Sequence, residues 1–177
     1  MQNSKVMNIG VIFAGGVGSR MHSKEMPKQF LKVHDKPIII HTLEHFEKND
    51  EIDAIVIACV ADWIEHLKNL LYKYRIEKVK KIVSGGESGQ ISIYNGLCAA
   101  EEVASGNKAI VLIHDGVRPL INPALLSENI RCVKEHGSAV TAGIVKETIV
   151  VIDKDGRIEQ VPSREKSRVA KAPQSFW

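Results

Sequence analysis

The chain has 177 residues, of which 44% are apolar and 25% charged, with a formal net charge of +3. That length and balance describe one domain with room for a substantial core, and so small and scattered a charge excludes a nucleic-acid footprint. No apolar run approaches the span of a bilayer and the N-terminus has no apolar signal core, which excludes a membrane protein and points to the cytoplasm.

Cys59, Cys98 and Cys132 are odd in number, widely separated and set in apolar periodic segments. With no Cys-x-x-Cys pair, they read as small buried hydrophobes in a reducing compartment.

Ile9 to Phe13 is apolar apart from Gly10 and predicts a short strand buried on both faces. It delivers Ala14-Gly15-Gly16-Val17-Gly18-Ser19-Arg20-Met21 to its carboxyl end, and Pro27-Lys28-Gln29-Phe30 follows. Glycines admit a ligand close to the backbone, and successive N–H groups in such a loop form an anion-binding concavity. Arg20 adds a planar fork and Lys28 a mobile point charge, so the stretch predicts a polyphosphate site. It is neither of two common phosphate motifs. Met21 occupies the position of the third glycine of a dinucleotide fingerprint, and Ser19-Arg20 replaces the Lys-Ser or Lys-Thr of a P-loop.

Pro37 begins a helix running to about Lys48, with Ile39, Leu43 and Phe46 as its apolar stripe. Its His41-Thr42-Leu43-Glu44-His45 matches the H-x-x-E-H pattern of one zinc peptidase class. Both histidines fall opposite the stripe and no clear further ligand follows, so a chance match is the better account. Ile52 to Cys59 is the second strand, and Asp62 reads as the N-cap of a helix through Tyr74. Lys80 to Val83 is the third strand, and the small-residue loop 84–89 leads into a helix over 90–104. Ala109 to His114 is the fourth strand, ending in Asp115-Gly116-Val117-Arg118-Pro119. Asn122 caps a helix with Pro123 at its first position, and Ala139 to Val145 is a further strand.

This alternation predicts a three-layer α/β/α domain with a mostly parallel, Rossmann-like sheet. Ligands of such sheets bind beyond the carboxyl ends of the strands, so the loops at 15–18, 85–89 and 115–118 should open on one edge. From Lys146 the pattern changes. Thr148 to Ile152 and Arg157 to Val161 flank Asp155-Gly156, a hairpin signal, and predict a β-arm over 146–164 that needs something to lie against. A second subunit is the simplest candidate.

The combination Ala-Gly-Gly-x-Gly-x-Arg-Met with Pro-Lys-Gln-Phe resembles the signature of nucleotidyltransferases that make activated sugars and polyols. It is closest to the cytidylyltransferases acting on 2-C-methyl-D-erythritol 4-phosphate and on ribitol 5-phosphate. Gly85-Gly86 with Ser92 and Asn95-Gly96-Leu97, then His114 to Pro119, Lys146-Glu147-Thr148, Arg164 and Pro173 to Phe176 match in order.

The resemblance implies the fold of the nucleotide-diphospho-sugar transferases and transfer of CMP from CTP, with Mg²⁺, to a polyol phosphate. Carried over residue by residue, Ala14, Gly15, Gly16 and Gly18 would hold CTP, with Arg20 and Lys28 on the triphosphate. Gly86, Glu87 and Ser92 would edge cytosine and ribose. Asp115, Gly116 and Arg118 would lie between nucleotide and acceptor, Asp115 as a Mg²⁺-side carboxylate or as acceptor for a substrate hydroxyl. Thr148 and Arg164 would reach the second substrate from the partner's arm in a homodimer. Arg20, Lys28, Asp115 and Arg164 are the implied catalytic set.

Glu87 stands where an Asp is common, and Ala172 where the erythritol-type enzymes tend to have Thr. Relatives continue beyond the position of Trp177, so a C-terminally truncated member is expected, with a nucleotide-binding module lacking turnover as one alternative. A transferase for another sugar phosphate is another; an NAD(P)-binding half is disfavoured by the absent third glycine. Phe13-Ala14-Gly15-Gly16 and Asp62-Trp63 tilt the acceptor toward ribitol 5-phosphate.

Overall fold

The computed structural model describes residues 6–15 and 26–177. The chain runs through β1 (Met7–Ala14), a minimal hairpin of β2 (Lys32–Val33) and β3 (Lys36–Pro37), α1 (Ile38–Glu47), β4 (Ala54–Cys59), α2 (Ile64–Lys73) and β5 (Val79–Ser84). There follow α3 (Gly89–Ala104), β6 (Ala109–Asp115), α4 (Pro123–His136), β7 (Ser138–Ile144), β8 (Val151–Ile152), β9 (Ile158–Gln160) and β10 (Arg168–Phe176). The main sheet has the order β5-β4-β1-β6-β10-β7. Strands β5, β4, β1 and β6 pair in parallel, while β10 runs antiparallel to both its neighbours.

The alternation of side chains along a strand explains the layers. Ile9 and Val11 of β1 join Ala54 and Val56 against Ala99, Ala100 and Ala104 of α3. Ile12 and Ala14 point the other way, into a core with Ile39, Leu43 and Phe46 of α1, Leu67 of α2 and Leu126, Ile130 and Val133 of α4. A strand sandwiched in this way has no solvent face, hence the unbroken apolar run. Each large aliphatic side chain so buried contributes roughly 1.5–3 kcal/mol before chain entropy is set against it.

The helix ends follow local chemistry, with two exceptions. The Asn122 side chain accepts from Leu125 N at 2.8 Å, with Pro123 at the first turn, as expected. Ser88 caps α3 by accepting from Ile91 N at 3.2 Å. Asp62 does not cap α2: a 3-10 turn over Ala61–Trp63 comes first, and Trp63 occupies the cap position without a side-chain bond. Pro37 is likewise the residue before α1, closing the small hairpin, with the helix starting at Ile38.

Strand β10 is the main departure from the expected chain order. Its sequence, Arg-Val-Ala-Lys-Ala-Pro-Gln-Ser-Phe, carries a proline and two cations and reads poorly as a central strand. The structure resolves the conflict with a bulge. Ala170 pairs with Ala142 and Gln174 with Val140, so residues 171–173 face Thr141 alone, and Pro173 sits where the ladder is interrupted. The ladder to β6 begins only at Gln174, opposite Ile113. The arm is present as the antiparallel pair β8–β9, shorter than the strands expected over 148–152 and 157–161, with Ile152, Ile158 and Val161 more than half exposed.

Candidate active site

The carboxyl ends of β1, β5 and β6 bring Gly15, Gly85 and Gly116 to one edge. Gly15 and Gly85 approach so closely that a Cβ on Gly15 would fall 2.5 Å from Ser92 Oγ and 3.1 Å from Gly85 Cα. A Cβ on Gly85 would meet Gly15 Cα at 2.8 Å, and one on Gly86 would run into Ile91. Only glycine fits these positions, because two backbones and a helix start share the space of one side chain. Ser92 ties the junction: its hydroxyl accepts from Gly86 N and donates to Ser88 O, both at 3.0 Å. It is 1% exposed, so it holds the glycine loop in shape from behind. Asn95 donates to Ser84 O at 3.0 Å, tying the same loop to α3. Glu87 is exposed at the rim.

Gly16, Gly18 and Arg20 lie outside the described residues. Lys28 is described, half-buried in a 3-10 turn over Lys28–Phe30. That turn is anchored on both sides. Buried Gln29 donates to Ala14 O at 2.6 Å, which fixes the turn against the end of β1. Phe30 is buried and stacks on Trp63, ring centroids 5.0 Å apart, with His66 edge-on. Trp63, which at the level of sequence only tilted the choice of acceptor, thus supports the segment that carries Lys28.

At the end of β6, Asp115 accepts from Val117 N (3.1 Å) and from Arg118 Nε (3.3 Å), so its carboxylate folds the loop on itself. Gly116 N donates to Phe13 O at 3.1 Å, and Thr42 of α1 donates to Gly116 O at 3.0 Å, clamping the loop to β1 and α1. His114 is fully buried against Phe46, and its Nε2 lies 3.1 Å from Arg118 O. A carbonyl only accepts, so Nε2 carries the proton in this bond. Burial lowers the pKa of His114, because a charged ring there would be desolvated.

Beside Asp115 opens a cleft of about 340 Å³, bordered by Phe13, Ile113, Arg118, Lys171 and Gln174 among others. Thr148 and Arg164 do not line it. They meet each other on the arm, Arg164 Nη2 donating to Thr148 Oγ1 at 3.2 Å, both exposed. Sequence reasoning missed Gln29, Thr42 and the role of His114. The signal available was polar side chains in otherwise apolar periodic segments.

His41 and His45 are not part of this arrangement. His41 Nε2 lies 3.0 Å from Val33 O, and Glu44 between them pairs with Lys36 at 2.7 Å. Among the described residues no three His, Cys, Asp or Glu side chains converge as a metal cage. Nor is any described helix long and apolar enough to cross a membrane.

A glycine junction at the end of a parallel strand, a braced lysine turn and a carboxylate–guanidinium pair on the next strand define a nucleotide-handling α/β enzyme. The chain belongs to the 2-C-methyl-D-erythritol 4-phosphate cytidylyltransferase (IspD) family, whose model matches residues 8–177; it is a nucleotidyltransferase that uses CTP. Over 171 residues it is 55% identical to the ribitol-5-phosphate cytidylyltransferase of Streptococcus agalactiae serotype III, covering 97% of this chain and 71% of that one. It is 39% identical over 169 residues to the 2-C-methyl-D-erythritol 4-phosphate cytidylyltransferase of Clostridium botulinum strain 657, covering 96% and 72%. The crystal structure of 4-diphosphocytidyl-2C-methyl-D-erythritol synthase from Anaerococcus prevotii superposes with a TM-score of 0.79 at 26% identity, covering 97% and 70%.

Proposed function

We propose that this enzyme transfers CMP from CTP to ribitol 5-phosphate, giving CDP-ribitol and pyrophosphate. The observation that carries the choice of acceptor is the 55% identity to a ribitol-5-phosphate enzyme, against 39% to a methylerythritol one. A phosphate oxygen of the acceptor attacks the α-phosphorus of CTP in line. A new P–O bond forms as the bond to the bridging oxygen breaks, and the electron pair leaves with pyrophosphate. Two anions must meet, so catalysis rests on positioning and charge neutralisation. Lys28, held by Gln29 and Phe30, meets the charge on the triphosphate, with Arg20 as its partner. The Gly15–Gly85 junction lets the nucleotide lie against backbone, while Asp115 and Arg118 divide CTP from the acceptor.

The donor set suits Mg²⁺ carried in on phosphate oxygens, since Asp115 is a single carboxylate with a lone pair to spare on each oxygen, and this ion commonly takes one or two carboxylates plus phosphates. Bound there, it would add charge neutralisation at the triphosphate. We further propose that the 146–164 arm, a part of the one nucleotidyltransferase domain, docks on a second copy in a homodimer. A lone two-stranded arm with exposed Ile152, Ile158 and Val161 is marginal in water. Thr148 and Arg164 then serve the partner's acceptor site. Such an enzyme would work in the cytoplasm beside its CTP and supply CDP-ribitol for a cell-surface polymer; with the methylerythritol acceptor it would instead supply isoprenoid synthesis.

Pyrophosphate release with CTP and Mg²⁺ tests the reading, with ribitol 5-phosphate and methylerythritol 4-phosphate offered separately. Release with ribitol 5-phosphate, abolished by EDTA, is expected; release with methylerythritol 4-phosphate alone would overturn the acceptor. Mixing inactive Lys28→Ala with inactive Arg164→Ala should restore part of the activity, because mixed dimers hold one intact composite site. No recovery on mixing would sink the shared arm.

A further inference from the structure

We infer that Lys171 is an acceptor-specificity residue: its ammonium receives the anionic polyol phosphate and plays no part in holding CTP. The inference rests on the cytidylyl-transfer reading above and goes beyond the residues assigned there.

Three observations converge on Lys171. The first is its place. Arg118, Lys171 and Ala172 border both the 340 Å³ cleft beside Asp115 and a neighbouring cleft of about 440 Å³ lined by Val117, Leu120 and Thr141. They form the ridge between the two, on the side of Asp115 away from the Gly15–Gly85 junction. The second is how it gets there. The β10 bulge opposes residues 171–173 to Thr141 alone, which takes Lys171 out of the regular ladder. Its stem crosses Gly143 on β7, where an added Cβ would lie 3.3 Å from Lys171 Cε. The third is charge. Arg118 already pairs with Asp115 at 3.3 Å, whereas Lys171 makes no hydrogen bond or ion pair with the described residues. Lys171 is exposed and Ala170 and Ala172 beside it are small, so the ammonium meets an incoming ligand without displacing a neighbour.

The reaction brings a phosphomonoester up to a triphosphate, two groups that repel. A cation with no partner among the described residues, on the acceptor's side of the carboxylate, offsets that repulsion for the acceptor alone. Lysine suits the task as a mobile point charge able to follow a flexible polyol. A charge-assisted bond of this kind corresponds to roughly ten- to a hundred-fold in affinity.

The test compares wild type, Lys171→Met and Lys171→Arg. Steady-state turnover gives KM for ribitol 5-phosphate and for CTP. Calorimetry of ribitol 5-phosphate and of unphosphorylated ribitol, with protein holding an unreactive α,β-methylene CTP and Mg²⁺, gives binding without chemistry. Thermal melts confirm that each variant folds. The expected result is acceptor KM and Kd raised about ten-fold or more in Lys171→Met, with KM for CTP within about two-fold. Lys171→Arg should recover most of the loss, and ribitol itself should not distinguish the variants. Unchanged acceptor Kd in Lys171→Met overturns the inference, as does an equal loss toward CTP or toward unphosphorylated ribitol. Wild type that binds ribitol 5-phosphate but never turns over defeats the proposed function, while the Kd comparison still judges Lys171. Wild type that binds no polyol phosphate defeats both.

Discussion

The two halves of the site edge are made from different materials. On the proposed nucleotide side, β1, β5 and the start of α3 meet through glycines and one buried serine, and the surface is main chain held within van der Waals distance of main chain. On the proposed acceptor side, β6, the β10 bulge and β7 present Asp115, Arg118 and Lys171 around open clefts, and the surface is charged side chains. A backbone-built pocket tolerates almost no added atom, whereas a side-chain-built one exchanges residues at little cost to the fold. On the proposed assignment, that contrast fits relatives that are all named cytidylyltransferases but differ in the polyol phosphate they are named for.

Substitutions on the two sides should therefore fail in different ways. The largest effect is expected from Lys28→Ala. It should lower kcat/KM by about 10²–10³, the scale seen when a single transition-state charge donor is removed, with little change in melting temperature. Turnover within ten-fold of wild type would remove Lys28 from the chemistry. Gly15→Val comes next and should weaken both folding and CTP binding. Its Cβ alone would lie 2.5 Å from Ser92 Oγ, and overpacking of this kind costs about 1–3 kcal/mol, readable in urea melts beside a CTP titration. Normal stability with normal CTP affinity would show that the junction is looser than described. Arg118→Gln, across the divide, should raise acceptor KM by roughly ten-fold and leave the urea midpoint unchanged, since an exposed pair adds little to stability. A shift in CTP KM of the same size would erase the proposed division.

The smallest effect concerns pH. The folded-state pKa of His114 lies below its ordinary value because of burial. Between that folded value and about 6.5 the unfolded chain binds the extra proton, so this contribution is complete above about 6.5 and is lost as pH falls. The loss is bounded by about 1.4 kcal/mol per pH unit. Urea melts at pH 7.5 and 5.5 should show a smaller acid loss in His114→Gln than in wild type; equal losses would contradict the assignment.

The same contrast marks what could be read in advance. Glycine spacing, the apolar β1 run and the Asn122-Pro123 cap are local signals that act within a few residues, and they located the sheet, the loop edge and α4. β10 was not legible, because its place depends on pairing with strands some 30 and 60 residues earlier and its Pro173 argues against a strand until the bulge is known. Thr42, Gln29 and His114 were passed over for a related reason. Each serves a carbonyl brought near by the fold, so although all three stood in quoted motifs, none of those motifs disclosed the partner. Thr148 and Arg164 were named only through resemblance, and they meet on the arm away from the Asp115 cleft.

The position of β10 also sets an order of events during synthesis. Among the described residues, strand β7 has no neighbour in the sheet except β10, which emerges from the ribosome later and must slip between β6 and β7. Until then β5, β4, β1 and β6 can assemble as a parallel unit with the glycine junction formed, while β7 waits with unpaired edges. Long-range insertion of this sort is slow and leaves a nascent chain open to wrong pairings. The half that holds the glycine junction is thus the part able to mature first, with the β7 edge over 138–144 left unpaired until β10 arrives.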